Sequence, residues 1–115
     1  MEGRFGRAAA FAALAILLMA IAVAQRAKAQ QEAPAQAKAD EGKAVYAEKC
    51  SHCHGPGMLN AGTITPDLRR FPDDRERFFT TVKQGKNNRM PPWGDILSED
   101  EITNLWAYVS SRRSQ

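Results

Sequence analysis

The sequence predicts an all-α domain of about three main helices joined by two long loops. Three observations predict it. Residues 98–109 place apolar side chains at helical spacing behind a complete helix-start signal. No stretch alternates apolar and polar residues as a half-buried strand requires. The loops, Gly55 to Phe71 and Lys86 to Leu97, are long for a compact domain, and a bound group for them to cover would account for their length. The chain of 115 residues has room for one such domain.

The beginning of the chain stands apart from it. Arg4 and Arg7 precede Ala8 to Ala24, a run of 17 residues without a polar side chain. Ala27-Lys28-Ala29 follows and fits an A-x-A cleavage site, so residues 1–29 read as a secretory signal peptide. A second A-x-A, Ala22-Val23-Ala24, places the cut after Ala24 instead. The remaining alternative is an uncleaved anchor, since 17 residues lie at the lower edge of what spans a bilayer. Residues 30–39 are rich in Ala and Gln without apolar periodicity and read as a flexible tether. The folded domain is then residues 40–115.

The leader also governs the charge. The whole chain is +3, with Lys+Arg 16 and Asp+Glu 13. Arg4, Arg7, Arg26 and Lys28 against Glu2 account for that excess, leaving 12 basic and 12 acidic residues in 30–115. Nothing in this balance argues for a nucleic-acid partner. A domain of about 75 residues is marginal for a hydrophobic core alone and usually needs a staple.

The first helix is expected from about Glu41 to Cys50 with Asp40 as N-cap; Gly42, Val45, Tyr46 and Ala47 supply its small and apolar positions. The second starts after Pro72, with Asp73 as N-cap and Glu76 three residues on, an acidic variant of the capping box. Phe78, Phe79 and Val82 form its buried face and Gly85 ends it. The third carries Ser98 and Glu101 as a capping box and Leu97 and Ile102 as a hydrophobic staple. Ile102, Leu105, Trp106 and Val109 then fall on one face, and Arg112 and Arg113 suit the helix dipole.

Cys50-Ser51-His52-Cys53-His54 is the C-x-x-C-H pattern of covalent haem attachment. Two residues between the cysteines allow one helical turn to aim both sulfurs at one haem edge, where each forms a thioether. His54, immediately after Cys53, is placed to coordinate the iron. A thioredoxin-like pair needs a βαβ context, which is missing here. A bare disulfide across so tight a turn removes little entropy from the unfolded chain. A zinc site needs four ligands in a tetrahedron, and Cys50, His52, Cys53 and His54 lie within five residues of one another.

The iron's second axial position needs another side chain. His52 is tied to the same short segment as His54, and Met58 follows only four residues later. Met90 is the candidate: it lies 36 residues beyond His54, in a loop stiffened by Pro91 and Pro92. A soft thioether suits haem iron, and His/Met ligation raises the reduction potential. The alternative is a methionine filling a gap in the core.

These residues resemble class I cytochrome c over most of Asp40 to Ser111. Gly42 and Tyr46, eight and four residues before Cys50, look like the family's N-terminal helix. There the glycine admits the C-terminal helix and the aromatic packs against it. Leu105-Trp106-Ala107-Tyr108-Val109 looks like the partner helix, with Leu105 and Tyr108 at the interface. Pro66-Asp67-Leu68 resembles the family's Pro-x-Leu segment. The resemblance implies that the Pro66 carbonyl accepts a hydrogen bond from His54 and that Leu68 packs on the haem. The lead-in Gly62-Thr63-Ile64-Thr65 departs from the usual glycine before that proline. Met90-Pro91-Pro92-Trp93 followed by Leu97 to Ile102 is similar to small bacterial cytochromes, some of which accept electrons from quinoprotein alcohol dehydrogenases.

The function this implies is a periplasmic electron carrier with one haem c, not an enzyme. Its iron cycles between Fe(II) and Fe(III) with His54 and Met90 as ligands. Its partners would be redox proteins, a quinoprotein dehydrogenase and a terminal oxidase among them, with membrane attachment only if the leader is kept. Arg69, Arg70, Arg75, Arg77, Lys83, Lys86 and Arg89 give a positive stretch suited to an acidic partner, against the alternative of a solvated face with internal ion pairs. A five-coordinate enzyme or gas sensor needs a polar distal group, and both histidines are in the attachment motif. A subunit held permanently in a dehydrogenase complex is the third reading.

Overall fold

A computed structural model describes residues 3–59 and 65–113. Gly62, Thr63 and Ile64 lie outside the described residues. Among the described residues four α-helices follow in order: α1 (Gly3–Lys49), α2 (Ser51–His54), α3 (Arg75–Gln84) and α4 (Glu99–Ser111), with 3-10 turns at Pro56–Met58 and Leu68–Arg70. Among the described residues there is no strand, and the all-α expectation holds.

The chain divides into two compact units, Met1–Pro34 and Ala35–Gln115. In the first, helical side chains such as Phe11, Leu14, Ile16 and Met19 are exposed. Among the described residues one helical stretch, Ala13–Lys49, is long and apolar enough to cross a membrane. A signal sequence near an N-terminus has the same character.

Two helix starts differ from expectation. Asp40 is not an N-cap: α1 begins at Gly3, and the Asp40 carboxylate accepts from Gln36 Nε2 at 3.0 Å within it. Residues 30–39, read as a tether, are helical too, because Ala, Gln, Lys and Glu are strong helix formers even without an apolar stripe. The N-cap of α3 is Asp74, not Asp73. The Asp74 carboxylate accepts from the Arg77 N–H at 2.9 Å, while Asp73 is drawn to Arg113 Nη1 at 2.8 Å.

The second unit is centred on the crossing of α1 and α4. A Cβ at Gly42 would stand 1.9 Å from the Asn104 carbonyl oxygen, so only glycine lets the two backbones touch. Glu41 accepts from Asn104 Nδ2 at 2.6 Å beside that contact. Tyr46 and Tyr108 meet with ring centroids 5.4 Å apart, and Leu105 and Val109 are almost fully buried with them. The capping box of α4 is complete: Ser98 Oγ accepts from the Glu101 N–H, and Glu101 accepts from the Ser98 N–H. Leu97 and Ile102, the two staple positions, are both buried.

Candidate functional site

The attachment segment is one closed turn. The Cys50 N–H donates to the Tyr46 carbonyl at 2.9 Å, which continues the direction of α1. The Cys50 carbonyl accepts from the Cys53 and His54 N–H groups at 3.2 and 3.0 Å, and the Gly55 N–H donates to Ser51 at 2.9 Å. Gly55 then leaves the turn at φ 81, a left-handed conformation suited to glycine. The Tyr46 hydroxyl donates to the Gly55 carbonyl at 2.7 Å and fixes that exit from outside the motif. Both cysteines are free thiols.

Cys50, Cys53 and His54 line one cavity of about 980 Å³; Ser51 and His52, between them in sequence, do not. The 65–72 segment forms another wall, with Pro66, Leu68 and Phe71. Thr65 Oγ1 donates to the Cys53 carbonyl at 2.8 Å and ties that wall to the attachment turn. Asp67 shapes it locally: its carboxylate accepts from the Arg69 N–H at 2.9 Å and grips the Arg69 guanidinium at 2.7 Å. That grip holds the Asp67 carboxyl down at about 2. From α3 come Phe78, Thr81 and Val82, and from α4 Leu105 and Val109. Phe71 meets Phe78 edge-on at 5.7 Å.

The last wall is the loop after Gly85, with Met90, Pro91 and Trp93. The Trp93 N–H donates to the Val82 carbonyl at 2.9 Å and anchors this loop on the end of α3. Met58 takes no part in the cavity. It is 0% exposed within the core, the gap-filling role that methionine often plays.

Burial pushes the Cys50 thiol up to about 11, with Cys53 adding to the effect. Burial also lowers the pKa of His54, which keeps its imidazole neutral and its lone pair available; the Pro66 backbone opposes that shift. His54 Nδ1 is buried with the Pro66 backbone as its hydrogen-bonding neighbour, as expected, but the bond falls short of ordinary geometry. Among the described residues no three His, Cys, Asp or Glu side chains are grouped to hold an ion by themselves.

The structure therefore gathers the sequence-predicted Cys50, Cys53, His54, Pro66, Leu68 and Met90 on one cavity. Sequence reasoning assigned no site role to Phe71, Phe78 or Thr65. Phe78 was legible as a buried helical position, but its place on this wall depends on contacts distant in sequence.

Two thiols, a neutral imidazole and a thioether around apolar walls fit a haem held through sulfur, and the orphaned His54 Nδ1 fits a ligand's second nitrogen awaiting its partner. Comparison with known proteins agrees. Residues 37–109 match the family model described as cytochrome c oxidase, cbb3-type, subunit III. Cytochrome c6 of Euglena gracilis is 35% identical over 75 residues, 59% of this chain and 85% of that protein. The chain belongs to the class I c-type cytochromes, whose cofactor is haem c.

Two larger relatives carry a similar stretch. The quinohemoprotein alcohol dehydrogenase ADH IIB of Pseudomonas putida is 43% identical over 83 residues, 70% of this chain and 12% of that protein. The cbb3-type cytochrome c oxidase subunit CcoP of Azospirillum sp. (strain B510) is 34% identical over 82 residues, 63% of this chain and 28% of that protein. The chain thus matches only a minor part of either length. No solved structure matches.

Proposed function

We propose that this cytochrome is an exported carrier of single electrons, with one haem bound covalently at the cavity. A single observation carries the reading: Cys50, Cys53, His54 and Met90, from two segments far apart in sequence, line the same cavity. Haem, when bound, supplies a one-electron iron couple. Cys50 and Cys53 would hold it by thioethers. His54 would be one axial ligand and Met90 the other. Burial favours the neutral imidazole that ligation needs. Phe71, Phe78, Leu68 and Val109 keep water from the group and lower the local dielectric. Pro66 is the acceptor available to His54 Nδ1 once the imidazole is fixed. Were His54 and Met90 both to hold the iron, no substrate would reach it, and the activity would be transfer rather than catalysis.

Basic side chains at the cavity support docking of an acidic redox partner. Of the seven in 69–89, Arg69 pairs with Asp67 and Lys83 with Glu99, and Arg75 lies over the Phe79 ring. Arg70, Arg77, Lys86 and Arg89 line the cavity and form no salt bridge among the described residues. The relatives' names suggest the partners: a quinoprotein alcohol dehydrogenase as donor and a terminal oxidase as acceptor. The apolar α1 supports export to the periplasm, by a signal peptide ending at Ala29 or Ala24 or as a retained anchor.

The test of attachment is denaturation of holoprotein made in a host with haem-attachment machinery. Haem stays with the chain on a denaturing gel and resists acid–acetone extraction. Haem passing into the organic phase overturns the covalent reading.

A further inference from the structure

The segment from Gly85 to Met90 is closed on itself. The Lys86 N–H donates to the Met90 carbonyl at 3.0 Å, and the Met90 N–H donates back to the Lys86 carbonyl at 3.1 Å. The Arg89 N–H shares that same carbonyl at 3.0 Å. Met90 thus has both of its backbone groups fixed by one residue. The chain reverses between them over Asn87 and Asn88, both left-handed, at φ 53 and 54. L-residues other than glycine rarely take this conformation; asparagine tolerates it because its short amide finds local partners. Gly85 completes the arrangement at φ 73, where a Cβ would stand 2.4 Å from the Met90 carbonyl oxygen.

Pro91 and Pro92 restrict Met90 itself and the chain after it, not the residues before it. Before it, this turn sets where the thioether begins. Asn87 lines the cavity, whereas the Asn88 side chain is exposed and outside it. Any influence of Asn88 on the site therefore travels through the backbone of the turn.

We propose that Asn87 and Asn88 are positioning residues for the Met90 thioether. By holding two successive left-handed conformations they keep the Lys86–Met90 pair closed, and the closed pair keeps the sulfur at the cavity. This role rests on the reading of Met90 as an iron ligand. An external ligand such as imidazole competes with Met90 for iron, so its affinity reports how often the loop opens.

The experiment titrates imidazole into ferric holoprotein, and records the Met–Fe(III) absorption band and the thermal midpoint. Asn88→Val, β-branched and poorly suited to positive φ, raises imidazole affinity on the order of tenfold. Asn88→Ala, a milder change, moves it the same way by about threefold, and Asn88→Gly stays nearer to the parent than either. Met90→Ala abolishes the band and raises imidazole affinity more than any turn variant. If Asn88→Val and Asn88→Ala lower the midpoint but leave band and affinity at parental values, the turn is only structural and the positioning role is overturned. If Met90→Ala itself leaves band and affinity unchanged, the ligand assignment has failed, and the positioning role falls with it.

Discussion

Tyr46 belongs to α1 yet fixes the exit of the attachment turn through its hydroxyl on the Gly55 carbonyl. Tyr46→Phe leaves that carbonyl without its donor and costs about 1 to 2 kcal/mol, read by chemical denaturation. Burial, with a contribution from Cys50, pushes the Tyr46 phenol up to about 12 from 10.0. The folded state therefore keeps a proton that the unfolded chain loses first. This contribution to stability is complete below pH 10, falls as pH rises toward about 12, and is missing from Tyr46→Phe, as denaturation from pH 8 to 12 shows. At Met90 the expectation concerns the iron. Met90→His keeps a six-coordinate haem but lowers the potential on the order of 0.1 V, within the ~0.8 V that axial ligands span. Met58→Ala leaves the potential near its parental value while destabilising the buried core, because Met58 lies outside the cavity. Potentiometric titration and denaturation of the two variants separate these roles. Cys50, Cys53 and His54 were legible from sequence because the attachment pattern is local. The Pro66–His54 pairing was expected only from the resemblance of Pro66-Asp67-Leu68 to the family's segment, and its closure depends on how a distant loop seats against the turn.

The helices were legible in proportion to how local their signals are. Ser98, Glu101 and the Leu97–Ile102 staple announced α4: both hydrogen bonds of the capping box form, and Leu97 and Ile102 are buried in one core cluster. Ser98→Ala removes the capping box and costs about 1 kcal/mol, measured by the denaturation midpoint. The start of α3 was displaced by one residue because Asp73 and Asp74 are equally good caps in sequence. Arg113, 40 residues away, engages Asp73, while Asp74 caps the helix. The length of α1 was missed because an Ala- and Gln-rich run has helix propensity without a buried face. Propensity and packing give opposite expectations at Gly42. In an isolated helix Gly42→Ala gains about 1 kcal/mol. Here the new methyl meets the α4 backbone and forces the helices apart, a cost of about 3 kcal/mol that exceeds the gain. Denaturation of Gly42→Ala holoprotein shows a net loss; a stabilised variant contradicts the helix crossing.

Across the whole molecule, net charge and local charge tell different stories. Residues 30–115 balance at 12 basic and 12 acidic, yet Arg70, Arg77, Lys86 and Arg89 collect at the cavity while Asp95, Glu99, Asp100 and Glu101 lie in the approach to α4 and its first turn. Electron exchange with an anionic reagent such as ferricyanide is therefore expected to slow as salt rises, although residues 30–115 are neutral overall. Stopped-flow rates across an ionic-strength series check this; a flat response contradicts a positive mouth. The clustering was only half legible, because which bases find acids in the fold decides which remain free. The crossing of α1 and α4 has a further bearing, on the order in which the domain is completed. Glu41 and Asn104, bonded in the finished structure, are 63 residues apart in the chain. Closing so wide a loop carries an entropic penalty on the order of several kcal/mol, and the joint cannot form before α4 has been synthesised. Until α4 has been synthesised and has docked, Leu105 and Val109 are not there to wall off the cavity, and the half-buried Cys50 thiol is as open as the exposed Cys53.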